Sequence, residues 1–275
     1  GLAVARNLPL GKYLVKEKNA PKGFVLNAAS QEVNFEYADQ NTAVIKESVT
    51  FKNDRQKVAI TVTKQDAENE AVVAGAEFGI YNTADIKNAS GNVIVEADTL
   101  LQKMTSDENG KAAFSVDLPL GQYYVKELKA PAGFVSSDEV LSFDASYQGQ
   151  DIPVIRLNQI KKNEPTTFEF TKSDVTTGVE LDGATITVFD KNGNTIDSWT
   201  SVKDQPHVIK RLVAGETYTL REEFAPYGYL KATDVEFSVE DTAEIQKVEM
   251  KDEVPTALLI VKKHFTANSN IFLFL

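Results

Sequence analysis

Two groups of residues in this chain have the types needed to form an amide bond between side chains. Each group combines a lysine, a glutamate and an asparagine or aspartate. A neutral lysine amine is a nucleophile, and a protonated glutamate can polarise an acyl group and shuttle protons. Burial favours both neutral forms, because it lowers the pKa of a lysine and raises that of a glutamate. The groups are Lys64, Glu127 and Asn163, and Lys172, Glu222 and Asp252.

We predict one reaction per group. Lys64 attacks the side-chain carbonyl of Asn163 and releases ammonia, while Glu127 hydrogen-bonds that carbonyl and transfers protons. Lys172 joins Asp252 with loss of water. No cofactor is needed, since a fold that holds the reactants in contact can replace an effective concentration of about 10⁵ M or more.

The glutamates belong to a motif that occurs three times, which is an internal repeat. It reads Tyr, an apolar residue two positions on, Glu two further on, then Ala-Pro-x-Gly and an aromatic residue. On a strand the first three share one face, so the glutamate points toward the core. The proline keeps the residue before it extended, and the glycine permits the positive φ of a tight turn. The copies span residues 13–24, 123–134 and 218–229, with glutamates Glu17, Glu127 and Glu222.

Three lysines end segments of alternating apolar residues and lie on the apolar face. For a single lysine, a strand-end side chain that reaches water is the commoner arrangement. The repeated pairing with Glu and Asn or Asp favours the crosslink instead. The segments are 58–64, 168–172 and 258–262, ending in Lys64, Lys172 and Lys262.

The acceptors differ in how well their strands place them. Asn53 and Asp252 follow apolar residues in phase, whereas Asn163 shares its phase with Gln159 and Lys161. We therefore expect either a β-bulge that redirects Asn163 or no bond at that position.

Short alternating segments separated by turn residues predict an all-β chain of tandem immunoglobulin-like or prealbumin-like β-sandwich domains arranged end to end. Residues 49–53 are predicted to be a last strand, and residues 96–105 are compatible with a short helix. The predicted domains are 1–55, the C-terminal half of a truncated unit, 56–164 and 165–253, both complete, and 254–275, the start of a further truncated unit.

The unpaired matches are predicted to stay unlinked. Glu17 and Asn53 have no lysine of their own, and Lys262 is followed by neither a glutamate motif nor an acceptor strand.

Composition excludes several kinds of function. The net charge is -11 and the pI about 4.8, which disfavours nucleic acid as a partner. The chain has no cysteine and two histidines, so we expect no disulfide, no metal site and no cofactor. Its longest apolar end, residues 271–275, is too short to span a membrane. A signal for export is expected outside this chain.

With these motifs the chain resembles the CnaB-type, prealbumin-like repeats of Gram-positive surface adhesins and SpaA-like pilins. The resemblance implies an extracellular, cell-wall-anchored stalk that is not a turnover enzyme. Its partners would be neighbouring domains of the same stalk, and a host surface or matrix protein reached through regions outside this chain. Neither a Leu-Pro-x-Thr-Gly sorting signal nor a pilin polymerisation motif occurs in the sequence.

A rival prediction keeps the fold and changes the function. In it, loops at the domain ends bind carbohydrate or a host matrix protein. Exposed aromatic residues clustered on one loop surface favour this alternative.

Overall fold

The computed structural model describes residues 1–262, and these contain strands, turns and loops but no helix. No segment among them could therefore cross a bilayer as a helix. Contacts divide the chain into two compact units. The first is Gly1–Pro165 with Asp241–Ala243, and the second is Thr166–Glu240 with the described residues from Glu244 onward.

The N-terminal segment, residues 1–55, forms one antiparallel pair, β1 (Gly11–Lys16) with β2 (Ser30–Phe35). Residues 49–53 belong to no strand, so the prediction of a last strand there is wrong. The reason is the absence of a pairing partner within the segment. In both sandwiches described below, the last strand pairs only with the first strand of the same sandwich.

The middle sandwich packs a four-stranded sheet, β10-β9-β4-β7, against a three-stranded sheet, β11-β3-β8. Alternate residues of each strand fill the core between them, as expected for half-buried strands. The strands are β3 (Lys57–Asp66), β4 (Glu77–Asn82), β5 (Ile86–Lys87), β6 (Val93–Val95), β7 (Leu100–Thr105), β8 (Lys111–Ala113), β9 (Gly121–Lys129), β10 (Leu141–Ala145) and β11 (Val154–Asn163).

The C-terminal sandwich repeats this plan with sheets β15-β12-β18 and β14-β13-β16-β17. Its core contains Phe168, Phe170, Leu220 and Met250. The strands are β12 (Thr167–Asp174), β13 (Thr185–Phe189), β14 (Thr195–Thr200), β15 (His207–Lys210), β16 (Thr217–Phe224), β17 (Val235–Ser238) and β18 (Gln246–Asp252).

The first and last strands of each sandwich lie side by side and parallel. β3 pairs with β11, and β12 pairs with β18. Adjacent parallel strands need a long connection, and here the connection is the whole remainder of the sandwich. The two ends of each sandwich sequence are thereby neighbours in one sheet, with the first strand in the centre and the last strand at the edge.

Tertiary pairing overrides local preference at residues 96–105. Residues 100–105 form β7, which pairs with β4 and places Met104 opposite Phe78. Met104 packs against the core, and Lys103 bonds Glu77 on the solvent side. The alternative of a short helix is wrong, since this segment completes a sheet.

The last predicted unit is described only in part. Residues 253–262 form no strand, and Leu258 and Ile260 are exposed. The predicted strand ending at Lys262 is therefore wrong for these residues, since their backbone pairs with no neighbouring strand. Residues 263–275 lie outside the described part of the chain.

Candidate crosslinking site

The Ala-Pro-x-Gly segments make three similar turns. In each, the glycine has a positive φ, which residues with a side chain rarely adopt. The backbone N–H of the aromatic residue after the glycine donates to the carbonyl of the proline, closing the turn. The φ values are 89° at Gly23, 82° at Gly133 and 93° at Gly228.

Each turn returns the chain to the glutamate that precedes it. A backbone N–H ten residues after the glutamate donates to its carboxylate, which fixes the position of the side chain. The pairs are Asn27 N with Glu17 Oε2 at 2.8 Å, Ser137 N with Glu127, and Ala232 N with Glu222 Oε2 at 2.6 Å. The repeated motif is thus a device for holding an inward carboxyl group.

In the middle sandwich, Glu127 and Asn163 are joined directly. Asn163 Nδ2 donates to Glu127 Oε2 at 2.6 Å and to the carbonyl of Val135 at 2.8 Å. The carboxyl group therefore lies on the amide nitrogen, whereas the sequence hypothesis placed it on the carbonyl. Among the described residues, the buried Asn163 Oδ1 and Glu127 Oε1 have no hydrogen-bond partner.

Lys64 is completely buried in the same sandwich. Its Nζ donates to the carbonyl of Gln65 at 2.8 Å and lies 5.2 Å from the centroid of the Phe134 ring. Phe134 is the aromatic residue of the Ala-Pro-x-Gly turn, so the motif also covers the lysine. The three side chains share one interior, between β3, β9 and β11.

Burial shifts the pKa values of two side chains in this group in the direction that favours their neutral forms. It lowers the pKa of Lys64 to about 8, against the opposing charges of Glu127 and Asp66, and Lys161 lowers it further. Burial also raises the pKa of Glu127, against the Asn163 hydrogen bond and the nearby lysines. A neutral amine and a protonated carboxyl are the forms that amide formation requires.

In the C-terminal group the lysine lies closer to its two partners, and all three side chains are ionisable. Lys172 Nζ contacts Asp252 Oδ1 directly and lies 3.1 Å from Glu222 Oε1. All three side chains are buried. Burial raises the pKa of Asp252, against its hydrogen bond from Lys172. Asp252 Oδ2 has no partner within the described residues.

The same register produces both groups. Lys64 lies opposite Lys161 and Lys172 opposite Met250, so each acceptor comes two residues beyond the residue paired with its lysine. Residues two apart share a face of a strand. The lysine and the acceptor therefore project from adjacent strands into one interior.

The expected defect at Asn163 is absent from the described ladder. β3 and β11 pair residue by residue without a bulge, and Asn163 is 3% exposed. Asn163 points inward because it lies on the face of β11 that packs Ile155 and Leu157 toward the core, a face that also buries Lys161. The prediction of a bulge is wrong, and the bond itself stays a prediction.

Lys161 is a site residue that sequence reasoning missed. Its side chain is 0% exposed, and its Nζ donates to Ser137 Oγ at 2.8 Å, to the Glu139 carbonyl at 3.1 Å and to Glu139 Oε2 at 2.8 Å. The sequence signal for Lys161 was its position two residues before Asn163, on the same face of the strand.

The unpaired matches have different surroundings. Asn53 Nδ2 donates to Glu17 Oε2 at 2.5 Å and to the Val25 carbonyl at 3.0 Å, which repeats the contacts of Asn163. Lys262 is exposed.

Over residues 1–262, no group of three or more His, Asp or Glu side chains is placed to hold a metal ion.

Comparison with known protein families identifies the family to which this chain belongs. The model of the SpaA prealbumin-like fold domain matches residues 1–50, 58–158 and 166–254. The chain belongs to the SpaA family. The matched ranges include every predicted glutamate, lysine and acceptor except Asn53, Asn163 and Lys262.

Two similar proteins extend this finding. The Bacillus anthracis TIE protein is 29% identical with a TM-score of 0.54, over 90% of this chain and 42% of that chain. The trypsin-resistant surface T6 protein of Streptococcus pyogenes serotype M6 is 30% identical over 99 residues, 35% of this chain and 17% of that protein. This SpaA-family chain thus spans less than half of either.

Proposed function

We propose that this chain is a stalk segment of a Gram-positive surface adhesin or pilin whose sandwiches form autocatalytic isopeptide bonds. The observation that carries the proposal is that both sandwiches bury a lysine of the first strand and an acyl acceptor of the last strand, next to the carboxyl group of the motif glutamate, which is half-buried at Glu127 and buried at Glu222. Burying a lysine costs free energy, because its charge must be removed from water.

In the middle sandwich, the neutral Lys64 amine attacks Cγ of Asn163. A proton leaves the amine through Glu127 and is delivered to Nδ2, which Glu127 Oε2 already contacts at 2.6 Å. The Cγ–Nδ2 bond then breaks and ammonia departs. The carboxyl group ends as it began, so Glu127 acts as a proton carrier.

In the C-terminal sandwich, Lys172 attacks Cγ of a protonated Asp252. Glu222 Oε1, 3.1 Å from Lys172 Nζ, accepts a proton from the amine and returns it to the departing hydroxyl. One water molecule leaves. The raised pKa of Asp252 favours the protonated acid that this route needs.

The proposed bonds suit a protein that is pulled. Tension applied to tandem domains enters at a first strand and leaves at a last strand, and these are the strands that each bond would join. The load would then pass through covalent bonds, and the hydrogen-bonded ladders would not separate. The reaction occurs once per domain, so the role is structural. An extracellular location and attachment to the cell wall are part of this proposal.

Intact mass under denaturing conditions, followed by peptide mapping, tests the proposal. We expect a deficit of one ammonia and one water, with the Lys64 peptide joined to Asn163 and the Lys172 peptide to Asp252. A deficit of water alone restricts the proposal to the C-terminal sandwich. The full unreacted mass would refute the crosslinks.

One observation supports a second candidate, a binding surface on the third motif copy. Phe224 is 72% exposed and Tyr227 is fully exposed, and both lie in or beside the same turn. Aromatic side chains of this kind provide contact area for carbohydrate or protein. Direct binding of glycans or matrix proteins by the chain, lost in the Phe224→Ala/Tyr227→Ala double variant, would establish this role. Equal binding by the variant would exclude it.

A further inference from the structure

Lys161 is a second buried lysine of the middle sandwich, and the proposed mechanism does not use it. Its side chain is as inaccessible as that of Lys64, the residue opposite it on β3. Glu139, which balances its charge, has a side chain that is 66% exposed. The sandwich thus buries an ammonium group whose partner lies at the surface.

The contacts of Lys161 lead directly to Glu127. Lys161 Nζ donates to Ser137 Oγ and to both the carbonyl and the carboxylate of Glu139. The backbone N–H of Ser137 donates to the Glu127 carboxylate. Three bonds from one ammonium group therefore fix the short segment that holds the proton carrier.

The C-terminal sandwich holds its glutamate without this lysine. Met250 occupies the register position of Lys161, and Ala232 occupies that of Ser137, so both the ammonium and the hydroxyl are missing. Asp234, two residues after Ala232, pairs instead with Arg221 at 2.8 Å. The segment is secured there from its solvent side.

Lys161 also contributes charge to the reacting group. The ionisable side chains that act on Lys64 are Glu127 on β9, Asp66 on β3 and Lys161 on β11. The two carboxylates favour the protonated amine, and Lys161 opposes them. Lys161 therefore counters part of the attraction that would keep Lys64 protonated and unreactive.

We propose that Lys161 is a positioning residue for the Lys64–Asn163 reaction, which holds the Ser137–Glu139 segment against Glu127. This inference rests on the proposed function. The inference adds to that function a residue of the middle sandwich that has no counterpart in the C-terminal sandwich.

The test compares reaction rates in the full chain. Cell-free synthesis is stopped, the new chains are incubated at set pH values, and samples quenched in denaturant are analysed by intact mass and peptide mapping. Lys161→Met introduces the residue found at the matching position of the C-terminal sandwich. Lys162→Met is the control, because Lys162 is the next residue of β11 and faces solvent.

Lys161→Met should slow ammonia loss by at least about tenfold and leave water loss unchanged. The pH profile of ammonia loss should also move to higher pH, because removing a positive neighbour raises the pKa of Lys64 and of Glu127. Lys162→Met should match the wild type in both respects. An unchanged rate and profile in Lys161→Met would overturn the inference.

Rapid proteolysis of the middle sandwich would show that Lys161→Met does not fold. In that case Glu139→Gln provides the test. It changes an exposed side chain and keeps Lys161 in place. We expect ammonia loss to be slowed about two- to tenfold as the segment loosens. A wild-type rate would count against Lys161. A wild-type chain that never loses ammonia would instead refute the proposed function of this sandwich.

Discussion

The two sandwiches place a lysine, a glutamate and an acceptor at the same positions and surround them differently. In the C-terminal sandwich, Lys172 contacts both acidic side chains. In the middle sandwich, Lys64 donates to a backbone carbonyl, and Glu127 is bonded to the acceptor amide instead. An acid acceptor brings a charge that attracts the lysine, whereas an amide acceptor does not. The middle sandwich has a second lysine where the other has Met250.

Removing the lysines should give the largest difference between the sandwiches. Without the proposed bond, each should lose about 4–5 kcal/mol of unfolding free energy, by analogy with crosslinks that close loops of about 80 to 100 residues. Lys172→Ala should cost about 3–5 kcal/mol more, because it leaves Glu222 and Asp252 buried without their cation. Lys64→Ala leaves Glu127 and Asp66, but Lys161 remains as a nearby cation.

Urea unfolding measures both losses. Trp199, the one tryptophan of the chain, lies in the C-terminal sandwich, so its fluorescence follows that sandwich. Circular dichroism follows both. Equal losses in the two variants would contradict the difference in buried charge.

Replacing either glutamate should stop one reaction and leave the other. Glu127→Gln and Glu222→Gln remove the proton carrier while keeping the shape of the side chain, and should slow the affected reaction by about 10²–10⁴-fold. Intact mass distinguishes the products, since one sandwich loses ammonia and the other water. Loss of both deficits from a single substitution would show that the sandwiches do not react independently.

The pH dependence should separate the reactions further. The pKa of Lys64 is lowered to about 8, so its neutral fraction, and with it ammonia loss, should rise about tenfold per pH unit below that value. Water loss should instead decline once the pH exceeds the raised pKa of Asp252, because the acid form disappears. The ratio of the two rates should therefore increase with pH, as followed by mass in a timed series. A constant ratio would mean that a shared step, such as folding, limits both.

Exchanging the acceptors should have the smallest effect on rate. Asn163→Asp should change the leaving group of the middle sandwich to water, and Asp252→Asn should change that of the C-terminal sandwich to ammonia. We expect each rate to fall by about tenfold, since each glutamate is placed for its own acceptor. Peptide mapping identifies the products. An exchange that abolished either crosslink would show that the surroundings accept only one acyl group.

The sequence was sufficient to predict the sandwiches and the inward glutamates, because both follow from strict two-residue alternation. It was insufficient for the end of β11, where the inward face that begins with Ile155 and Leu157 continues through Gln159, Lys161 and Asn163. Apolar alternation stops at Leu157 and therefore does not show that the last three residues also point inward. The N–H of Ser137 and the pairing that turns residues 100–105 into a strand depend on contacts distant in sequence, which local patterns do not contain.

The parallel pairing of the first and last strands has a consequence for the history of each molecule. β11 is made last and pairs with β3, which is made first, so Lys64 and Asn163 can meet only after the whole sandwich sequence has been synthesised. A covalent bond made at that moment cannot be undone by later unfolding. The crosslink would then mark every chain in which β3 and β11 have once been paired, even after that chain unfolds.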